Sequence, residues 1–195
     1  MSTGSKQEDK NSDESLALLA VEDKNFFAYL VDRYEPLLRR YVFRITNATR
    51  EDVEDILQDV FVKAYINLKS FDADLKFSSW IYRITYHEVI SRYRKIKRRP
   101  EGNFFDLEDQ DLSFVKDSLS LEKEFDNNLL GGLILKAFDG LDAKYKQVFY
   151  LRFMEGKTYE EISDIIKKPP GSVATLVHRA RKKVQKRIKE DQAYE

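Results

Sequence analysis

Residues 156–189 read GKTYEEISDIIKKPPGSVATLVHRARKKVQKRIK. Thr158 followed three residues later by Glu161 is a capping box, so a helix starts there. Ile162, Ile165 and Ile166 give that helix an apolar face. The turn KKPPG cannot continue it. A second helix follows, with Ser172 expected as its cap. In that second helix Val173, Val177, Ala180 and Val184 share one side and are expected to pack inward. Ser172, Thr175, Leu176 and Arg179 then face outward at the spacing i, i+3, i+4, i+7, as side chains directed into a major groove do. Arg181 and Lys182, with Lys183, Lys186 and Arg187, extend a basic field suited to phosphates. The plain alternative is a helical hairpin with a basic, solvated end. One feature of the turn is unusual. Most helix-turn-helix units place glycine where this chain has Lys167. A left-handed conformation there costs a residue with a side chain about 1 kcal/mol or more.

Composition bounds the rest. A chain of 195 residues is one large domain or two small ones. The hydrophobic fraction of 42% suffices for packed cores, and the charged fraction of 35% implies small elements with much surface. No cysteine is present, which excludes disulfides and thiolate zinc sites. His87 and His178 are far apart and make a poor metal set. No nucleophile–base set or phosphate-cradling glycine loop stands out, so neither an enzyme nor a cofactor is expected. The first residues, MSTGSKQEDKNSDE, lack the apolar core of a signal peptide. No apolar run reaches membrane-spanning length, so a cytoplasmic protein without membrane insertion is expected. The formal net charge is zero, from 34 basic and 34 acidic residues. The sum hides strong local segregation.

Working toward the N-terminus, no strand pattern is convincing. Residues 100–125 are acidic and weakly periodic, and are expected to form a flexible linker. Four helical segments follow it, in NNLLGGLILKAFDGL, DAKYKQVFYLRFMEG, TYEEISDIIKK and GSVATLVHRARKKVQKRIKE. Before the linker, residues 15–46 carry Phe26, Leu30, Tyr34, Leu37, Leu38, Tyr41, Val42 and Ile45 at helical spacing. Pro36 fits the first turn of a new helix there. The next segment places Val53, Ile56, Leu57, Val60, Phe61, Ala64 and Leu68 in one stripe. After the loop KSFDADLK a helix runs to Arg99, with Ser78 or Ser79 as its cap. The pattern predicts an all-α chain: a disordered stretch 1–14, a helical domain 15–99, the linker 100–125 and a helical domain 126–195.

Two surfaces of the first domain contrast. Asp52, Asp55, Gln58 and Asp59 line one helix face, continued by Val62 and Ile66 outside the core stripe. Such faces are commonly just wet, but apolar residues beside acids also resemble a docking surface for another helix. The following helix ends in SRYRKIKRR, with Arg92, Arg94, Lys95, Lys97, Arg98 and Arg99. It also carries Trp80, Tyr82, Tyr86 and Tyr93. Aromatics that stack on bases beside cations that follow phosphates suit single-stranded nucleic acid. The competing reading makes Trp80, Ile81 and Ile84 core, with the basic end complementing the helix dipole.

DVEDILQDVFVKAYINLKSFDADLKFSSWIYRI (52–84) resembles the second conserved region of bacterial sigma factors. LDAKYKQVFYLRFMEGKTYEEISDIIKKPPGSVATLVHRARKKV (141–184) resembles their fourth. The chain is similar to the compact, two-domain extracytoplasmic-function group, over about residues 24–99 and 128–188. The resemblance implies a promoter-specificity factor that works with core RNA polymerase on a stress or envelope-response regulon, under a cognate anti-sigma factor. Asp52, Asp55, Gln58, Asp59 and Val62 would dock on the clamp helices of the largest polymerase subunit, with the flap as a further element of the polymerase contact. Ser70, Phe71, Lys76, Ser79, Trp80, Arg83, Tyr86 and His87 would open and hold the −10 element of promoter DNA. Ser172, Thr175, Leu176, Arg179, Arg181 and Lys182 would read the −35 element. Ala174 and Leu176 are apolar, where the family typically has a basic residue at one or both positions. A stand-alone helix-turn-helix regulator is the alternative, and it leaves the docking face and the aromatic helix without a purpose.

Overall fold

The structure is a computed structural model that describes residues 12–97 and 129–192. The expected linker lies outside the described residues, as do residues 1–11. The described chain is helical throughout: α1 (Asp13–Glu22), α2 (Asn25–Ile45), α3 (Arg50–Asn67) with a 3-10 turn at Leu68–Ser70, and α4 (Phe77–Lys97). The second half holds α5 (Leu129–Asp139), α6 (Ala143–Phe149) running into a π-helical turn at Tyr150–Met154, α7 (Tyr159–Ile166) and α8 (Pro170–Gln192).

The helices form where the apolar period places them. Val53, Ile56, Leu57, Val60, Ala64 and Leu68 are buried on one side of α3, and Leu30, Tyr34, Leu38, Tyr41, Val42 and Ile45 on one side of α2. Thr49 and Asp52 close a capping box at the start of α3. At α7 the expected box is present: the Thr158 hydroxyl accepts from Glu161 N–H and the Glu161 carboxylate from Thr158 N–H.

Four local expectations change. The N-terminal segment is ordered before residue 15: Ser12 caps α1, and Asp13 accepts from Arg33 and from the Tyr34 hydroxyl. Burial, then that bond to Asp13, pushes the Tyr34 hydroxyl up. Pro36 does not begin a helix but sits inside α2, which continues through it. Neither Ser78 nor Ser79 caps α4, which begins at Phe77. The first free N–H of α4, on Phe77, donates instead to Glu14 Oε1 at 2.9 Å, so a carboxylate from α1 supplies the cap and complements the helix dipole. Finally, α8 starts at Pro170, which suits a residue without an N–H. Ser172 therefore lies inside its first turn rather than capping it.

The two halves meet directly. Tyr41 of α2 packs on Tyr82 of α4 at 5.1 Å between ring centroids and on Tyr150 of the π turn at 5.6 Å. Burial pushes the hydroxyls of Tyr41 and Tyr82 well up. Lys157 is also taken into this seam. Its ammonium donates to Ser78 Oγ at 2.7 Å and lies over the Tyr82 ring at 5.3 Å. Desolvation there lowers its pKa.

The Glu14 contact yields a test. Glu14→Ala leaves the start of α4 uncapped and is expected to cost about 1 kcal/mol of stability, as other lost helix caps do. Glu14→Gln keeps an acceptor oxygen and should retain most of it. Denaturant unfolding of both variants checks this; equal stability of Glu14→Ala and the parent chain would remove the cap from the account.

Candidate functional site

The described residues present three charged or aromatic surfaces. The first is the outer side of α3. Asp55, Gln58 and Asp59 are exposed there, beside Val62 and Ile66, which are 57% and 70% exposed. Asp52 is turned to local work, accepting from the Thr49 hydroxyl at 2.9 Å as part of the cap. Asp59 receives Arg92 Nη2 at 2.7 Å, and Asp55 lies 3.8 Å from Arg92 Nη1. Tyr65 adds an exposed aromatic to the same helix and packs on Phe27 at 5.3 Å. The sequence reading passed over Tyr65, although it follows Phe61 by four and Val62 by three.

The second surface runs from the 3-10 turn along α4. Ser70 is exposed, its hydroxyl donating to Asn67 O at 2.7 Å. Phe71, Phe77 and Trp80 form a buried aromatic triangle, with centroids 5.4 to 5.5 Å apart, and Tyr34 stands against Phe77. In this arrangement Phe71 and Trp80 are core, and the Ser79 hydroxyl is buried with them. Lys76, Arg83, Tyr86 and His87 reach further out. Tyr86 is half-buried against exposed His87 at 5.3 Å. Desolvation first, then the cations of Arg83, Lys167 and Arg94, lowers the pKa of His87, which keeps its imidazole neutral near pH 7.

The third surface is the α7–turn–α8 unit. Lys167 is left-handed, at φ 52° and ψ 51°, as the missing glycine implies. The strain is held by a closed ring of bonds: Lys167 and Lys168 both donate their N–H to Ser163 O, and Ser163 Oγ donates to Lys168 O. Beyond the turn, Val173, Val177, Ala180 and Val184 are buried. Ser172, Thr175, Arg179, Arg181 and Lys182 are exposed. The Thr175 hydroxyl bonds back to Gly171 O at 3.0 Å. Leu176 is half-buried and packs against the core, so it borders the outer face rather than standing at its centre. Exposed His178 lies beside Arg179, three residues past Thr175, a spacing that places it at the edge of the same face.

The second and third surfaces are joined. α4 lies against α7. Arg83 makes a two-pronged contact with Asp164, at 3.1 and 3.0 Å, and Lys76 meets Glu161 at 2.9 Å. Burial opposes charge on both acids. It is outweighed by Lys167 and Arg83 around Asp164, and by Lys76 and the Thr158 N–H around Glu161. Both carboxyls are held below the usual range. Among the described residues no cluster of His, Asp and Glu could hold a metal ion, and no helix is long and apolar enough to cross a membrane.

Residues 30–99 match the family model for sigma-70 region 2, and residues 132–184 the model for sigma-70 region 4. The ECF RNA polymerase sigma factor SigW of Bacillus subtilis is 31% identical over 175 residues, covering 86% of this chain and 91% of its own length. The ECF RNA polymerase sigma-E factor of Haemophilus influenzae is 31% identical over 174 residues, 85% and 89% of the two chains. Among solved structures, CnrH in complex with the cytosolic domain of CnrY shares the fold, with a TM-score of 0.67 at 22% identity over 92% of this chain and 98% of that one. The sigma factor RpoE of Bartonella quintana, in complex with the anti-sigma factor NepR, gives 0.63 at 22% identity over 84% and 96%. Two family models in order along one helical chain, and relatives aligned over nearly its whole length, agree with the α3, α4 and α7–α8 surfaces: this chain belongs to the extracytoplasmic-function sigma factors of the sigma-70 family.

Proposed function

We propose that this protein is a promoter-specificity subunit. It binds core RNA polymerase, recognises the −10 and −35 elements of promoter DNA and directs initiation. The observation that carries the reading is the presence on one chain of two unlike surfaces. One is an acidic and apolar face on α3, and the other is an α8 face whose exposed Ser172, Thr175, Arg179, Arg181 and Lys182 follow from the burial of Val173, Val177 and Ala180. A stand-alone regulator needs only the second. The helical domain 15–99 takes the clamp helices of the largest subunit through Asp55, Gln58, Asp59 and Val62, and takes the −10 strand on α4. The domain 126–195 takes the flap and the −35 element. Residues 100–125 tether them. Fully extended, these residues reach about 90 Å at roughly 3.3–3.6 Å per residue. That exceeds the ~60–70 Å between elements nearly two helical turns apart. The chain supplies positioning and leaves catalysis to the polymerase. It acts where transcription occurs, in the cytoplasm. An anti-sigma factor, the class of partner seen with the similarly folded Bartonella quintana protein, is the expected antagonist. Run-off transcription with core polymerase across a genomic promoter library tests the whole reading; specific binding to duplex promoters without polymerase, and no stimulation with it, would favour the lone regulator.

The contact between α4 and α7 gives the free chain a closed form. Asp164 and Glu161 pair with Arg83 and Lys76, the cations assigned to the −10 strand, and so occupy them as phosphates would. Polymerase must separate these pairs before the strand enters. Asp164→Asn with Glu161→Gln removes both charges, and glutamine preserves the α7 capping box. The partly exposed Arg83–Asp164 pair is worth up to about 1 kcal/mol to the closed form, while the Lys76 ammonium stands in water and is screened by it. Energy transfer between labels on the two halves should report a more open chain, and the free protein should bind a −10 single strand up to roughly fivefold better. Unchanged distance and unchanged strand binding would show that the other contacts, the seam of Tyr41, Tyr82, Tyr150 and Lys157 among them, keep the halves together without these pairs.

For the −35 element, Arg179 is the exposed donor at the centre of the α8 face. Its bidentate contact with a guanine edge predicts that Arg179→Ala costs about 1–3 kcal/mol and relaxes preference at one position. Selection from randomised −35 elements measures both. A loss of equal size on every element, growing with salt, would reassign Arg179 to phosphate.

A further inference from the structure

Arg92 stands on α4 behind the acidic face of α3. Its side chain is 22% exposed and touches three carboxylates: Asp59 at 2.7 Å through Nη2, Asp55 at 3.8 Å through Nη1 and Glu88 at 3.5 Å through Nε. The three are not alike. The Asp55 and Asp59 side chains are 66% and 51% exposed, whereas that of Glu88 is 4% exposed and is also bound by Lys63 of α3. The cluster is therefore ordered from the inside out. Buried Glu88, bound by the half-exposed Lys63, forms the anchor. Glu88 holds the Arg92 guanidinium from behind, and the outer edge of that guanidinium hydrogen-bonds Asp59 and stands within ion-pair distance of Asp55. A guanidinium suits this work because its donors lie in one rigid plane, which a lysine ammonium lacks. Each carboxylate keeps lone pairs beyond those that Arg92 uses, so an incoming cation still finds acceptors. Three acids against two cations leave the cluster negative.

We propose that Arg92 is the positioning residue of the polymerase-docking surface, fixing the Asp55 and Asp59 carboxylates in the arrangement that a basic helical surface on the polymerase meets. This rests on the assignment of those two aspartates to polymerase docking. Binding then does not have to order two side chains that are already ordered, and preordering strengthens a complex chiefly by slowing its dissociation. The net charge of the face works in the opposite sense. Removing the Arg92 cation makes α3 more acidic, which speeds or leaves unchanged its approach to a basic partner. A positioning role therefore separates the two rate constants, and a purely structural role does not.

The experiment measures association and dissociation of the full chain with core polymerase for the parent, Arg92→Gln and Arg92→Lys. Each is then repeated in an Asp55→Asn, Asp59→Asn background, with thermal unfolding of every variant in parallel. Glu88 keeps Lys63 in all of them, so its buried charge stays paired. Arg92→Gln is expected to dissociate about tenfold faster with association unchanged or faster, for two side chains released from order. Arg92→Lys should fall between it and the parent. In the double-asparagine background Arg92→Gln should change nothing further. Slower dissociation of Arg92→Gln would overturn the proposal by making Arg92 a competitor of the polymerase cations. An equal acceleration with and without the aspartates would overturn it too, by placing Arg92 in direct contact with polymerase or in support of α4. No change in Arg92→Gln, while the asparagine pair weakens binding, would sink the positioning role alone. Parent-like binding by the asparagine pair would sink the docking assignment, and the proposal with it.

Discussion

One helix has to be buried along one side and charged along the others, and α4 does both within 21 residues. Phe77, Trp80, Ile81, Tyr82 and Val89 are sunk into the core. Their burial fixes the rotation of the helix, since successive residues turn by about 100°. Lys76, Arg83, His87 and Arg92 are left where that rotation puts them. α1, α2, α3 and α7 all pack against α4. The cap from Glu14, the Arg92 cluster beside α3 and the Arg83–Asp164 pair on α7 are thus three consequences of one orientation. A shift of α4 by a single residue would move all three together.

Zero net charge acquires a meaning in this setting. The cations of α4 are not balanced by a diffuse excess of acid. Arg92 and Arg83, with Lys76 just before the helix, are paired with carboxylates on other helices: Asp55 and Asp59 on α3, Asp164 and Glu161 on α7. On α8 the balance is different, and Arg179, Arg181 and Lys182 stay exposed. A neutral chain of this kind has little long-range attraction for DNA by itself, because opposite charges within a Debye length cancel at a distance. Its basic patches act at short range, after another body has brought them to the duplex.

Much of this was legible in the sequence. The core stripes of α2, α3 and α8 follow from periodicity, since burying one side of a helix imposes it. The left-handed residue at Lys167 follows from its place in the turn, where most helix-turn-helix units have glycine. What escaped are the terms that depend on residues far away in the chain. Ser78 and Ser79 are reasonable caps locally, but Glu14, 63 residues earlier, is the acceptor that reaches the start of α4. Arg92 reads as one cation in a basic run until Asp59, 33 residues earlier, is brought to it. Pro36 reads as a helix start, and the helix continues because tertiary packing of Tyr34, Leu38 and Tyr41 outweighs one missing backbone bond. At Leu176 the helical spacing was right. A side chain on the border of two faces takes the drier one when the core offers it room.

The Arg83–Asp164 pair spans 81 residues of chain. A ribosome adds about 5–20 residues per second, so the cation leaves it roughly 4–16 seconds before the acid that will cover it. Over that interval a nascent helix rich in arginine and aromatic side chains is held beside ribosomal and messenger RNA with its internal counterion not yet made. The order of synthesis is cation first and acid last, so the Arg83–Asp164 pair closes only after the C-terminal half has been made.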